Sequence, residues 1–143
     1  MWSNGKIAAV AVVVLVALVP GLGVFACSPG APDVWASMQD DLEESYVFCV
    51  EVRAGSRQET LIGASAKAFS EAFIDATFDE DNRKHFGPTS DIVLFFCYEG
   101  RAPISVTQWP DDRFELSVEG EQFLVSSPEL TRLLRSGGFD HQQ

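Results

Sequence analysis

Histidine occurs only twice in this chain, and neither copy has the company that chemistry needs. His85 lies in the charged run Asn82-Arg83-Lys84-His85 and His141 at the carboxyl end. Neither is spaced from another His or Cys as metal ligands are, so both read as solvated imidazoles. The glycine-rich loop that cradles phosphate is also missing, as is the Gly-x-Ser-x-Gly elbow of hydrolases. Gly63-Ala64-Ser65-Ala66 comes nearest, but the second glycine is missing. Asp79-Glu80-Asp81-Asn82 begins as a calcium loop does. Its sixth position is Lys84 where the turn wants glycine, and its twelfth is Ser90 where a bidentate glutamate belongs. The expectation is no metal and no cofactor.

Basic residues are scarce too. Ten Lys and Arg stand against 21 Asp and Glu, for a net charge of −11. Such a surface repels phosphate backbones and anionic lipid alike, which excludes nucleic acid as a partner and a basic patch as a membrane anchor. Clusters such as Asp40-Asp41 with Glu43-Glu44 read as solvated faces.

One long apolar run is present, Ile7 to Val19, preceded by Lys6 and followed by the helix breakers Pro20-Gly21. That is the layout of an export signal. Val24 and Ala26 supply the small residues of a cleavage site, and cleavage there exposes Cys27. The Val24-Phe25-Ala26-Cys27 stretch resembles the lipobox of bacterial lipoproteins, although Phe25 is larger than that position usually carries. The resemblance implies that Cys27 is acylated and holds the protein on the membrane. Free secretion after cleavage is one alternative. An uncleaved anchor is another, because Ile7 to Cys27 has the ~20 residues that cross a bilayer, weakened by Pro20, Gly21 and Gly23. Lys6 on one side and acidic residues from Asp33 onward on the other place the rest of the chain outside under every reading.

Cysteine is limited to Cys27, Cys49 and Cys97. If lipid consumes Cys27, an even pair remains, as suits an oxidising compartment. Cys49 and Cys97 then either bridge or stay as small buried hydrophobes within apolar strands.

Residues 1–26 are thus the signal or anchor, 27–32 a tether, 33–137 a single domain and 138–143 a disordered tail. Within the domain Trp35, Met38 and Leu42 mark an amphipathic helix. Ser45 to Arg53 reads as a strand with Tyr46, Phe48, Val50 and Val52 on one face. Ser56 with Glu59 forms a capping box for a helix that runs to Phe78 through Ile62, Ala66, Phe69 and Phe73. Asp91 to Tyr98 is apolar at nearly every position, the pattern of a strand covered on both sides. Alternation around Ile104–Val106, Phe114–Val118 and Phe123–Val125 gives three more strands with one wet face. Ser127 as N-cap and Pro128 at the first turn open a last helix. The order helix, strand, helix, four strands, helix makes an α+β domain with a mixed or antiparallel sheet of about five strands, the first two parallel if the long helix crosses over.

Trp35 and Trp109 are the candidates for contact, Trp109 because it precedes Pro110 at a hairpin tip. The functional expectation is a membrane-anchored, extracytoplasmic module that binds a protein or small ligand without turnover. A carboxylate-dependent secreted hydrolase, built on Asp91 or Glu99 beside Asp111 and Asp112, is one alternative. A structural subunit of an envelope complex is the other.

Overall fold

A computed structural model describes residues 30–80 and 91–139. The leader with Cys27, both histidines and the calcium-like run beyond Glu80 lie outside the described residues. The chain divides into a unit of residues 1–30 and a unit of residues 31–143, and the fold described is that of the second.

Helix α1 spans Ala31–Glu43, strand β1 Val47–Ala54, β2 Arg57–Leu61, α2 Gly63–Ile74 and β3 Thr77–Phe78. Then come β4 Ile92–Tyr98, β5 Ile104–Trp109, β6 Arg113–Val118, β7 Glu121–Ser126 and α3 Pro128–Ser136. The strands form one seven-stranded sheet of order β2-β1-β4-β5-β6-β7-β3, with every neighbouring pair antiparallel. The α+β class holds, with two more strands than the hydrophobic pattern predicts.

Both extra strands are edges. Ser56 and Glu59 do not cap a helix. Gly55, at φ 63°, turns the chain with Ser56, and β2 pairs back on β1 from Ala54↔Arg57 to Val50↔Leu61. Glycine takes left-handed backbone at little cost, and such a turn matches the twist of a hairpin. This hairpin reverses the chain before α2, so β1 and β4 become antiparallel neighbours and not the parallel pair expected of a crossover. At the far edge Thr77–Phe78, expected to end the helix, is instead paired with β7.

The three helices lie on one face of the sheet. Phe73 of α2 stacks on Phe96 of β4 at 4.4 Å between centroids, and Trp35 of α1 meets Phe73 at 5.4 Å and Phe123 at 6.1 Å. Leu130 and Leu134 of α3 complete the core. Ser127 caps α3 as expected: its Oγ accepts from the Leu130 amide (3.1 Å) and donates to the Ala72 carbonyl (3.0 Å), tying α3 to α2. Phe139, assigned to the tail by sequence, is buried and lies under the Arg57 guanidinium at 4.1 Å.

Two readings of the strands are corrected. Phe48 is the extra residue of a β-bulge, since Val47 pairs with Tyr98 while Cys49 pairs with Cys97. Alternation resets there, so Val47, Val50 and Val52 face the helices and Phe48 is left 50% exposed. Nor is β4 covered on both sides: Ile92, Leu94, Phe96 and Tyr98 are buried, whereas Val93, Phe95 and Cys97 are half-buried.

Ser70 is buried and hydrogen-bonded to the Tyr98 hydroxyl at 2.7 Å. Burial pushes the Tyr98 phenol up to about 12, against the opposing pull of the Ser70 bond and Arg101. In the unfolded chain a tyrosine ionises near pH ~10. Because the folded value is the higher one, the stabilisation from protonated Tyr98 is complete below that pH and is lost as pH rises through about 12. Phenolate absorbance should show a step near pH 12 in the native protein, and Tyr98→Phe should remove it. A native titration unchanged by that substitution would contradict the buried bond.

Candidate functional site: the open face of the sheet

Strand alternation that sends one set of side chains to the helices sends the other to the opposite face. Among the described residues no helix packs on that face. Its two regions differ in chemistry.

The first lies across β5, β6 and β7. Trp109 is 9% exposed and its indole N–H donates to Glu115 Oε1 at 2.9 Å. Gln122 Nε2 donates to Glu115 Oε2 at 2.8 Å, so the carboxylate is held in one orientation. Beside it a shallow depression of about 230 Å³ is lined by Ser105, Thr107, Glu115, Leu116, Ser117 and Gln122. Hydroxyls both donate and accept, and an ionised carboxylate only accepts. This lining therefore suits a ligand rich in hydrogen-bond donors. Arg113 closes the end of the region, its guanidinium 6.0 Å from the Trp109 ring and paired with Asp79 at 3.6 Å.

The second region lies across β1 and β4. Cys49 and Cys97 face each other in register, both half-buried free thiols. Phe95 lies beside them, with the Arg53 guanidinium 4.7 Å over its ring. Burial pushes the Cys97 thiol up to about 11, helped by its hydrogen bond with Cys49 and the charges of Cys49 and Glu51.

On the helix side, a groove of about 350 Å³ between α2 and α3 has Glu71, Asp75, Glu129 and Arg132 among its lining residues. Its one guanidinium is already engaged: Arg132 hydrogen-bonds Glu129 and holds that carboxyl below its usual range.

The structure thus brings Cys49 and Cys97 together as cross-strand partners. It places Trp109 at the margin of the open face. Trp35, a candidate for contact, is 2% exposed and belongs to the core. Of the carboxylates expected for a hydrolase, Asp91 lies at the end of the sheet that carries the β5–β6 turn and Glu99 at the other end. The Asp91 carboxylate lies against Gly55, where an added Cβ would meet Oδ2 at 3.2 Å. Asp111 and Asp112 form the β5–β6 turn in left-handed backbone. No group of three or more His, Cys, Asp or Glu among the described residues is arranged to hold a metal ion.

Sequence reasoning missed Glu115 as the centre of the polar region. The signal was available, because a three-residue turn after Trp109 sets Trp109 opposite Arg113 and puts Glu115 on the same face, one pleat along.

Comparison of the chain with protein-family models, with curated proteins and with solved structures gives no match.

Proposed function

We propose that the chain is a small membrane-anchored protein of the cell envelope whose acidic α+β domain binds a protein or small ligand on its open sheet face, without turnover. The leader from Lys6 to Cys27 supports export and lipid attachment. Acidic excess keeps the domain soluble and off anionic lipid. The observation that carries the binding reading is the asymmetry of the sheet. One face is sealed by helices, while the other keeps Val93 and Phe95 half-buried beside a hydroxyl-lined depression with a fixed carboxylate. Apolar surface left partly open beside convergent polar groups is the usual composition of a recognition surface.

The test is site-specific photo-crosslinking of the full-length protein in its native membrane fraction. A photoreactive residue at Thr107, on the open face, is expected to yield a discrete adduct that Ser117→Arg abolishes. The same probe at Lys67, exposed on α2 at the helix side, is expected to yield none. Equal labelling from both positions, or a Thr107 adduct indifferent to Ser117→Arg, would overturn the assignment of the face. Turnover of a hydrolase substrate abolished by Glu115→Gln would overturn the non-catalytic reading.

A further inference from the structure

The thiol pair is a site in its own right. Cys49 and Cys97 are direct partners across the β1–β4 ladder, near enough for Cys49 to help hold the Cys97 thiol protonated. Residues directly opposite on antiparallel strands have Cα atoms about 4.5–5.5 Å apart. That interval falls inside the roughly 4.4–6.8 Å that a disulfide spans. Both cysteines are half-buried and not sealed in the core, and the bulge leaves Phe48, next to Cys49, 50% exposed. An incoming reagent therefore has access without unfolding.

The position matters for the fold as well. The hairpin β1–β2 joins the rest of the sheet only through β1 against β4. Cys49–Cys97 is the last in-register pair of that ladder before the bulge. A bond there would fix the point at which the ladder slips.

We infer that Cys49 and Cys97 form a thiol–disulfide exchange site that closes in the folded state to a cross-strand bond when it meets a disulfide, small or protein-borne. In the first step the Cys49 thiolate attacks one sulfur of the incoming disulfide. That S–S bond breaks, a mixed disulfide forms on Cys49, and the leaving sulfur departs as a thiolate that takes up a proton. In the second step Cys97 loses its proton and attacks the Cys49 sulfur, expelling the second thiolate. The protein gives up two electrons and two protons, and the reagent disulfide becomes two thiols. Cys49 goes first because burial and its neighbours keep Cys97 protonated at neutral pH. Cys97, its partner across the ladder, is the resolving sulfur.

The inference rests on the binding reading only for the compartment that supplies the oxidant, and its test is independent of any partner. Full-length protein carrying Cys27→Ser, so that only the two sheet thiols remain, is equilibrated with oxidised glutathione under native conditions and analysed by intact mass and peptide mapping. The expected product is an intramolecular Cys49–Cys97 bond, two hydrogens lighter than the reduced chain and reversed by dithiol reductant. Cys97→Ser is expected to stop at a single stable glutathione adduct on Cys49. Cys49→Ser should react more slowly than Cys97→Ser, because burial, the largest cause, still raises the Cys97 thiol when Cys49 is gone. The inference is overturned if the folded protein accumulates two glutathione adducts without bridging, if bridging needs denaturant, or if the two serine variants react at equal rates. A null crosslinking result at Thr107 alongside clean bridging here would sink the binding reading and leave the exchange site standing.

Discussion

Phe96→Ala is expected to cost the domain about 3–5 kcal/mol, the range for truncating a fully buried phenylalanine. Phe96 is 0% exposed in β4, an interior strand of the sheet. It forms the middle of an aromatic column, with Phe73 stacked on it at 4.4 Å and Tyr98 at 6.5 Å. The void cannot close easily, because the β4 backbone is held on both sides, by Val50 of β1 and by Ile104 of β5. A domain of this size has only about 5–15 kcal/mol of total stability. The melting temperature should therefore fall by roughly 15–20 °C, and the urea midpoint should drop with little change in slope. Phe95→Ala, one residue earlier, is the matched control. Its ring points to the open face and is half-buried, so its loss should cost about 1 kcal/mol. Equal costs at the two positions would mean that the second face is covered as fully as the first, and the binding reading would go with it.

The same two residues show what sequence can and cannot decide. The continuous apolar run from Asp91 to Tyr98 located the strand correctly. Apolar side chains at Val93 and Phe95 implied a second covering layer, but none is seen among the described residues. Hydrophobicity reports a tendency to be buried and not what does the burying. Edge strands were invisible for the opposite reason. Arg57–Leu61 pairs on one side only, so four of its five residues are exposed and Leu61 alone is apolar, too little to mark a strand. The helices at Ala31–Glu43 and Pro128–Ser136 were legible because a Trp/Met/Leu stripe and a Ser-Pro cap are local signals, but Ala31 and Pro32, read as tether, belong to the first of them. For the site, the shared face of Cys49 and Cys97 was legible from period-two counting. Their exact opposition was not, since it depends on a hairpin and a bulge that reset direction and register. Glu115 was passed over because a charge alternating with apolar residues reads as solvent-facing until its cross-strand neighbours are known.

Trp35→Ala should be the other severe substitution, again about 3–5 kcal/mol, and by a route that separates α1 from the rest. Trp35 is 2% exposed, and its indole N–H donates to the Ala76 carbonyl at 3.2 Å. One turn along, Gln39 Nε2 donates to the carbonyls of Ile74 (2.7 Å) and Ala76 (3.1 Å). The last carbonyls of a helix have no partners within it, and here the side chains of α1 serve those at and just beyond the end of α2. Removing the indole deletes two ring contacts and leaves Gln39 as the remaining side-chain donor to Ala76. Trp35→Phe keeps most of the apolar contact but not the bond, and should cost about 1–2 kcal/mol beyond the ring's smaller size. Amide exchange should distinguish undocking of α1 from global unfolding. In Trp35→Ala the amides of α1 and of the end of α2 should exchange far faster while those of β4 to β6 keep more protection. Uniform loss of protection would mean that α1 and the sheet fold as one unit, and that the helix directly following the tether is a part of the core from which the binding face cannot be separated.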